Sequence, residues 1–137
     1  MVVDNPTHIE GIRVINDPTE IFEELIKGHE VYHWEAGESM APILNHMEYC
    51  RLTPITDVSH IKPGDAVFCK IDVNGKDWFM VHMVTMVSDC ANKGEKHFQI
   101  GSTSGEVYGW TKDIYATAHG TGIFQKEIHK KPWWQGF

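Results

Sequence analysis

The spacing of apolar residues predicts one helix near the start of the chain. Residues 16–30 read NDPTEIFEELIKGHE, in which apolar side chains recur at helical spacing. Asp17 is a suitable N-cap, Pro18 suits the first helical position, and Gly28 can end the helix. We therefore expect a short helix that packs an apolar stripe on a sheet. The stripe consists of Ile21, Phe22 and Leu25.

Beyond Gly37 the pattern changes to one typical of strands. The segment Ala66–Val73 is rich in β-formers, and the Asn74-Gly75 dipeptide after it is a strong turn signal. Trp78–Val87 is a nearly continuous apolar run, as expected of a strand buried on both faces. These segments predict a hairpin with a loop of roughly five residues. Further strands are predicted at Lys96–Gly101 and Ile114–Phe124.

The fold class predicted by these elements is mainly β, with a short N-terminal helix. A chain of 137 residues fits one structural domain with a substantial core. Within this domain we expect an N-terminal helical extension at residues 1–33, a β domain at 34–124 and an aromatic C-terminal tail at 125–137. The chain before Gly37 is too short for a separate DNA-binding domain.

The composition is that of an ordinary globular protein, with 42% hydrophobic and 23% charged residues. A net charge of −7 argues against nucleic acid as a direct partner, because phosphate neutralisation needs a basic face. No stretch approaches the roughly 20 apolar residues of a membrane span, and the N-terminus does not resemble a signal peptide. Three cysteines without a C-x-x-C pair fit free thiols in a reducing compartment. We therefore expect a soluble, cytoplasmic protein.

Ser39 is the first candidate for chemistry. It lies in WEAGESMAPIL, residues 34–44, where a small flexible segment presents a hydroxyl between apolar stretches. A serine hydroxyl is a weak nucleophile until a base removes its proton. His82, in the apolar segment FMVHMV, can act as a general base near neutral pH. The structural alternative is an ordinary turn and a core histidine with both ring nitrogens satisfied.

The order of three motifs carries a resemblance to a known family. A Gly-Glu-Ser-Met-Ala-Pro box at residues 37–42 is followed by Lys-Pro-Gly-Asp-Ala-Val at 62–67 and then by Val81-His82. Over residues 34–124 the chain resembles the superfamily of signal peptidases and LexA-type self-cleaving repressors. In that family the bacterial enzymes and LexA relatives use lysine as base, whereas the archaeal and endoplasmic-reticulum branch uses histidine. The match is to the histidine branch, and it implies a LexA- or signal-peptidase-like coiled β-sheet.

The resemblance implies that Ser39 is the nucleophile and His82 the general base of a peptidase. The other residues of the box are expected to shape the loop around the serine. Gly37 permits a tight turn before the serine, and Pro42 limits the freedom of the backbone after it. Met40 is expected to bury its side chain and anchor the loop. Backbone N–H groups around Ser39 and Met40 are suited to hold an oxyanion.

The third catalytic group departs from the family pattern. In the histidine branch an aspartate follows the base in a Gly-Asp-Asn-like segment, whereas here Gly101 is followed by Ser102. Met83 also replaces the arginine that commonly follows the base. Glu106 is the first candidate for an acid that orients the imidazole, and Asp113 is the second. The structural alternative for both is a solvated loop carboxylate.

The segment Gly105–Thr111 reads GEVYGWT and resembles a stretch in phage-borne members of the same superfamily. Its glycines predict a turn, with Trp110 as a packing anchor. The resemblance implies a phage-type protein that acts in the host cytoplasm.

Competing functions have less support in the sequence. Nine histidines invite a metal site, but no metal-binding motif occurs, so neither a metal nor another cofactor is predicted. Self-cleavage is disfavoured because the Ala36-Gly37 bond adjoins the serine and cannot fold back onto it. Two functions stay open: a soluble serine peptidase acting in trans, and an inactive member of the fold that serves as a protein-interaction module. In both cases the partner is a protein or peptide, no membrane is involved, and the oligomeric state is open.

Overall fold

The computed structural model describes residues 2–3, 8–9, 12–90 and 95–125 of the chain. These residues form a helix, α1, at Pro18–Ile26, and ten strands. The strands are β1 (Val2–Val3), β2 (His8–Ile9), β3 (Ile12–Arg13), β4 (Val31–Trp34), β5 (Glu48–Pro54), β6 (Ala66–Val73), β7 (Lys76–Cys90), β8 (Glu95–Gly101), β9 (Val107–Thr111) and β10 (Asp113–Gln125).

Helix α1 forms where its cap residues and apolar stripe predict it. A backbone N–H of the first turn donates to Asp17 Oδ1 at 3.2 Å, and the predicted proline takes the first helical position. Gly28 follows the end of the helix with a φ of +87°, a conformation that favours glycine. The side chains of Ile21 and Leu25 are buried against the sheet.

Seven strands form one antiparallel sheet in the order β4-β5-β10-β6-β7-β8-β9. Strand β1 joins this sheet parallel to β10, and β2 pairs with β3 in a separate ladder. The long strand β10 pairs with both β5 and β6, so it connects the two halves of the sheet. The coarse prediction of a mainly β fold with a short helix is confirmed.

The β6–β7 hairpin follows the sequence prediction most closely. Strand β6 has the predicted bounds, and its pairing with β7 runs without a shift up to Val73 opposite Lys76. Asn74 and Gly75 make the turn with φ of +54° and +80°. Positive φ at both central residues is what a tight two-residue turn requires. The longer predicted loop is therefore wrong, because these two residues alone connect the strands.

Apolar side chains are buried on both faces of the sheet. In β6, Val67 and Cys69 belong to one buried cluster, whereas Phe68 belongs to the other cluster, which includes α1. Burial on both faces explains the uninterrupted apolar run of β6. Strand β7 is less buried than its sequence predicts, because Trp78 is 51% exposed and Met86 is 52% exposed.

The segment after β8 corrects one prediction. Val107–Thr111 is strand β9 rather than a turn, and Trp110 is 43% exposed rather than a packing anchor. The glycine within β9 suggested a turn, but the strand is formed by its backbone pairing with β8. The described part of residues 1–33 packs with the sheet, since α1 and β4 share its buried cluster. The predicted tail lies, apart from Gln125, outside the described residues.

Candidate active site

The serine box lies in a loop between β4 and β5 that is held by hydrogen bonds within the loop. The Leu44 N–H donates to the Met40 carbonyl at 2.9 Å, and the Gly37 N–H donates to His46 Nδ1 at 2.8 Å. Gly37 has a φ of +112°, so the predicted tight turn before the serine is present. The Met40 side chain is 4% exposed and packs in the core, so its predicted burial is confirmed. Ser39 is exposed on this anchored loop.

A second loop, residues 102–106 between β8 and β9, holds the serine loop in place. Thr103 donates from its N–H to the Ser39 carbonyl at 3.0 Å and from Oγ1 to the Ala41 carbonyl at 2.6 Å. Pro42, which follows Ala41 through a cis peptide bond, is exposed. Thr103 therefore holds the serine loop at the carbonyl of Ser39 and at that of Ala41, two residues later.

Replacing Thr103 by valine should destabilise the protein by about 1 kcal/mol, because the Ala41 carbonyl loses its side-chain donor. The serine loop would also lose its fixed position, and reactivity at Ser39 should fall about tenfold or more. Urea unfolding and the rate of labelling by a serine-reactive probe measure the two effects. Thr103→Ser keeps the hydroxyl and should behave as wild type. If the valine variant is as stable as wild type and labels at the same rate, Thr103 does not hold the serine loop in place.

His82 lies in β7, which is hydrogen-bonded close to this residue to the turn at residues 62–65. The Gly64 N–H donates to the Val84 carbonyl at 2.8 Å, and the Val84 N–H donates to the Asp65 carbonyl at 2.8 Å. The Asp65 carboxylate accepts a hydrogen bond from the Lys62 N–H at 3.1 Å, which holds the turn itself. The backbone that carries the histidine is thus tied to the segment before β6.

The structure brings Ser39 and His82 together from a loop and a strand. Ser39 Oγ lies 3.4 Å from His82 Nε2, at the long end of hydrogen-bond reach. The other ring nitrogen, Nδ1, is buried and has no hydrogen-bond partner among the described residues. The backbone N–H groups of Ser39 and Met40 donate to no group in the described ranges. One place therefore combines a hydroxyl, an imidazole and two unengaged N–H donors.

The electrostatic surroundings of His82 favour its neutral form. Burial lowers the pKa of His82 below its ordinary value of 6.5, because the imidazolium is poorly solvated there. The negative charges of Glu35 and Glu106 oppose this effect and raise the pKa. Burial prevails, so the imidazole is neutral and able to accept a proton at pH 7.

Reactivity at Ser39 should therefore persist at mildly acidic pH. The reactive form carries a neutral His82, and this form is lost only as the pH falls through the lowered pKa. We expect the rate of probe labelling to fall with a midpoint below pH 6.5. Labelling rates across the acidic range measure this midpoint. A midpoint above 6.5 would show that the neighbouring carboxylates outweigh burial.

In the described part of the chain, neither predicted acid is hydrogen-bonded to the histidine. Glu106 Oε2 instead accepts from the Tyr108 hydroxyl at 3.3 Å. Asp113 begins β10 opposite Lys70, further along β6 than the residue that pairs with the histidine. Ser102, which takes the place of the aspartate expected from the resemblance, is 1% exposed and accepts from the Glu106 N–H at 3.2 Å. Glu106 is thus near the pair, whereas Asp113 belongs to another part of the sheet.

Sequence reasoning missed three residues of this site. The Tyr108 ring packs against His82 with ring centroids 4.7 Å apart. Thr103 holds the serine loop, and Glu35 is the stronger of the two charges that raise the pKa of the histidine. The cluster of small hydroxyl residues at 102–104 could have marked a hydrogen-bonding loop. Nothing local in the sequence marks the tyrosine or Glu35.

A cavity beside Ser39 extends to Cys50. His33 and Glu35 line it, with His33 Nε2 and Glu35 Oε1 3.2 Å apart. Burial raises the pKa of the Cys50 thiol to about 12, so this free thiol is not a nucleophile near neutral pH. Cys69 is also a free, buried thiol, and its pKa is likewise raised to about 12. The serine, rather than either cysteine, is therefore the candidate nucleophile.

Comparisons of the chain with protein-family models, with curated proteins and with solved structures give no match. Among the described residues, no three His, Cys, Asp or Glu side chains form a group that could hold a metal ion. The same residues include no helix with the length and apolar character needed to cross a bilayer. Any assignment of function therefore rests on the geometry around Ser39 and His82.

Proposed function

We propose that the chain is a small serine peptidase-like protein that hydrolyses peptide bonds in trans. The observation that carries this proposal is the 3.4 Å separation of Ser39 Oγ and His82 Nε2. Residue chemistry and motif order selected these two residues as candidates, and their approach requires the tertiary fold. The proposal includes membership of the histidine branch of the signal peptidase and LexA superfamily, with its coiled β-sheet, and a phage-type role in the cytoplasm.

In the proposed reaction His82 Nε2 accepts the hydroxyl proton of Ser39 while Oγ attacks the carbonyl carbon of the scissile bond. The new Oγ–C bond converts the carbonyl into an oxyanion. Collapse of this tetrahedral species breaks the C–N bond, and the imidazolium gives its proton to the departing amine. Water then attacks the acyl-serine with the same base, which releases the carboxylic acid product and restores the hydroxyl.

The backbone of the serine loop supports the oxyanion in this proposal. The N–H groups of Ser39 and Met40 are unengaged within the described residues. The buried Met40 side chain and the hydrogen bonds from Thr103 fix the direction of these donors. Donors that are fixed before the reaction cost no reorganisation when charge develops on the carbonyl oxygen.

A fluorophosphonate probe tests the proposal, with the site of modification determined by mass spectrometry. An adduct on Ser39 in the native protein, lost when the protein is denatured before treatment, would support a folded active site. Ser104 provides an internal control, because its hydroxyl lies in the adjacent loop and has no histidine as hydrogen-bond partner in the described structure. Modification of Ser104 but not Ser39 would contradict the proposal.

One observation favours a second function, that of a protein-interaction module on the same fold. His82 Nδ1 has no hydrogen-bond partner among the described residues. Without an acceptor at Nδ1, the imidazole is not held in the tautomer that a base at Nε2 needs. For a module, the native protein should show no labelling of Ser39, and Ser39→Ala should bind the same partners as wild type in pull-down experiments. Loss of binding on this change would contradict a purely structural role for the box.

A further inference from the structure

Strand β9 carries a bulge close to the catalytic pair. Val107 and Gly109 lie opposite neighbouring residues of β8, and Tyr108 between them has no partner residue. An extra residue in one strand bends the strand and redirects its side chain. Here the side chain of Tyr108 is directed to His82, and the ring centroids are 4.7 Å apart.

The two rings are in edge-to-face contact. Their planes are inclined by 69°, an arrangement that aromatic pairs favour. His82 and Tyr108 are both partly buried, so their contact shields one side of the imidazole from water. A ring packed in this position restricts rotation of the imidazole about its side-chain torsion.

Glu106 holds Tyr108 in turn. The Tyr108 hydroxyl donates to Glu106 Oε2 at 3.3 Å. Burial and the negative charge of Glu106 raise the pKa of Tyr108, so the hydroxyl keeps its proton and stays a donor at neutral pH. The backbone of Glu106 is itself fixed, because its carbonyl accepts from the Ser102 N–H at 2.9 Å and its N–H donates to Ser102 Oγ at 3.2 Å.

We propose that Tyr108, held by Glu106, is a positioning residue that aims the His82 imidazole at Ser39. This inference rests on the proposed peptidase function. His82 Nδ1 has no hydrogen-bond partner among the described residues, so no acid bonded there orients the ring. The ring contact with Tyr108 supplies that orientation, and Glu106 acts through the tyrosine rather than on the imidazole.

The first experiment compares the rate and pH profile of fluorophosphonate labelling in variants of Tyr108. Tyr108→Leu should label about tenfold more slowly, because the imidazole is no longer held in line with the hydroxyl. Its pH midpoint should rise towards 6.5, because the burial that lowers the pKa of His82 is reduced. Tyr108→Phe keeps the ring contact but loses the hydrogen bond to Glu106, so it should label about threefold more slowly than wild type, between wild type and Tyr108→Leu. Trp110→Leu, an exposed change in the same strand, should label as wild type does.

A second variant separates the charge of Glu106 from its hydrogen bond. Glu106→Gln keeps an acceptor for the Tyr108 hydroxyl and removes the negative charge. Because that charge raises the pKa of His82, the pH midpoint of labelling should move to lower pH, while the rate well above the midpoint should fall by less than about threefold, since the amide oxygen still accepts the hydrogen bond. A fall in rate of about tenfold or more at every pH would overturn the assignment of Glu106 to a role through the tyrosine.

NMR of the Ser39→Ala protein tests the positioning without requiring catalysis. Nuclear Overhauser effects between the rings of Tyr108 and His82, and a shifted His82 titration in Tyr108→Leu, would support the inference even if the wild type does not label. Failure of labelling alone would count against the peptidase. If Tyr108→Leu does not fold, Tyr108→Trp should displace the imidazole and slow labelling. A folded Tyr108 variant without the ring contact, but with an unchanged titration and rate, would overturn the inference.

Discussion

Replacement of Ser39 by alanine is expected to abolish fluorophosphonate labelling and to lower peptide hydrolysis by at least about a thousandfold. The nearby thiol of Cys50 cannot replace the serine hydroxyl as a nucleophile, because it is buried and protonated. Stability should change by less than about 0.5 kcal/mol, because Ser39 is exposed and its hydroxyl makes one long hydrogen bond to His82 in the described structure. Labelling and urea unfolding of the same preparations give both quantities.

Ser104→Ala is the matched control for this change. It removes an exposed hydroxyl from the neighbouring loop, where the Ser104 and Ser102 hydroxyl oxygens are 2.9 Å apart. It should label at the wild-type rate. Equal labelling of wild type and Ser39→Ala would exclude Ser39 as the nucleophile. A loss of more than about 2 kcal/mol in Ser39→Ala would instead give the hydroxyl a structural role.

The helix and the β6–β7 hairpin could be predicted because their sequence signals are local. Asp17 and Gly28 satisfy backbone requirements at the two ends of α1. Asn74 and Gly75 tolerate the positive φ that a two-residue turn needs. Such residues act on their immediate neighbours, so no knowledge of the tertiary fold is required to interpret them.

The candidate site was predictable only in part. Residue chemistry made Ser39 and His82 candidates for a nucleophile and a base, and the resemblance linked them across the chain. The orientation of the imidazole depends on a bulge in β9 that places Tyr108 against it. A bulge arises from the pairing of two strands, and the sequence of β9 predicted a turn instead. The contact of Tyr108 with His82 is therefore evident only from the three-dimensional structure.

Glu48 shows why strand β5 could not be recognised from its sequence. A glutamate beside a loop is expected to be solvated, yet this carboxylate is buried. It accepts hydrogen bonds from the Asn45 N–H at 3.0 Å and from the Gly122 N–H at 2.8 Å. The second donor lies in β10, far along the chain, so the pairing that makes burial tolerable is a tertiary property.

His82 lowers the stability of the fold through its buried Nδ1, while its other ring nitrogen takes part in the proposed site. A buried polar atom without a partner costs about 1–3 kcal/mol. The same ring supplies Nε2 to Ser39, which is the basis of the proposed reaction.

Replacing His82 by leucine should abolish labelling and stabilise the protein by about 1 kcal/mol. Leucine fills much of the space of the imidazole in an apolar strand and removes the unsatisfied Nδ1. Loss of the long hydrogen bond to Ser39 offsets part of this gain. His82→Ala is the matched control, since it also removes Nδ1 but leaves a cavity, and it should be less stable than the leucine variant by about 2 kcal/mol.

The pH dependence of stability provides the sharper test of this variant. Above pH 6.5 the histidine is neutral in both the folded and the unfolded wild type. As the pH falls below 6.5, the histidine of the unfolded chain binds a proton, whereas native His82, with its lowered pKa, does not. The free energy of unfolding of the wild type therefore decreases with falling pH until the native pKa is also passed. The leucine variant has no histidine at this position and does not lose this stability. The difference in free energy of unfolding between the variant and the wild type, measured with urea, should therefore grow as the pH falls below 6.5. A leucine variant less stable than wild type throughout would mean that Nδ1 is satisfied in solution, and the main argument for an inactive module would then fail.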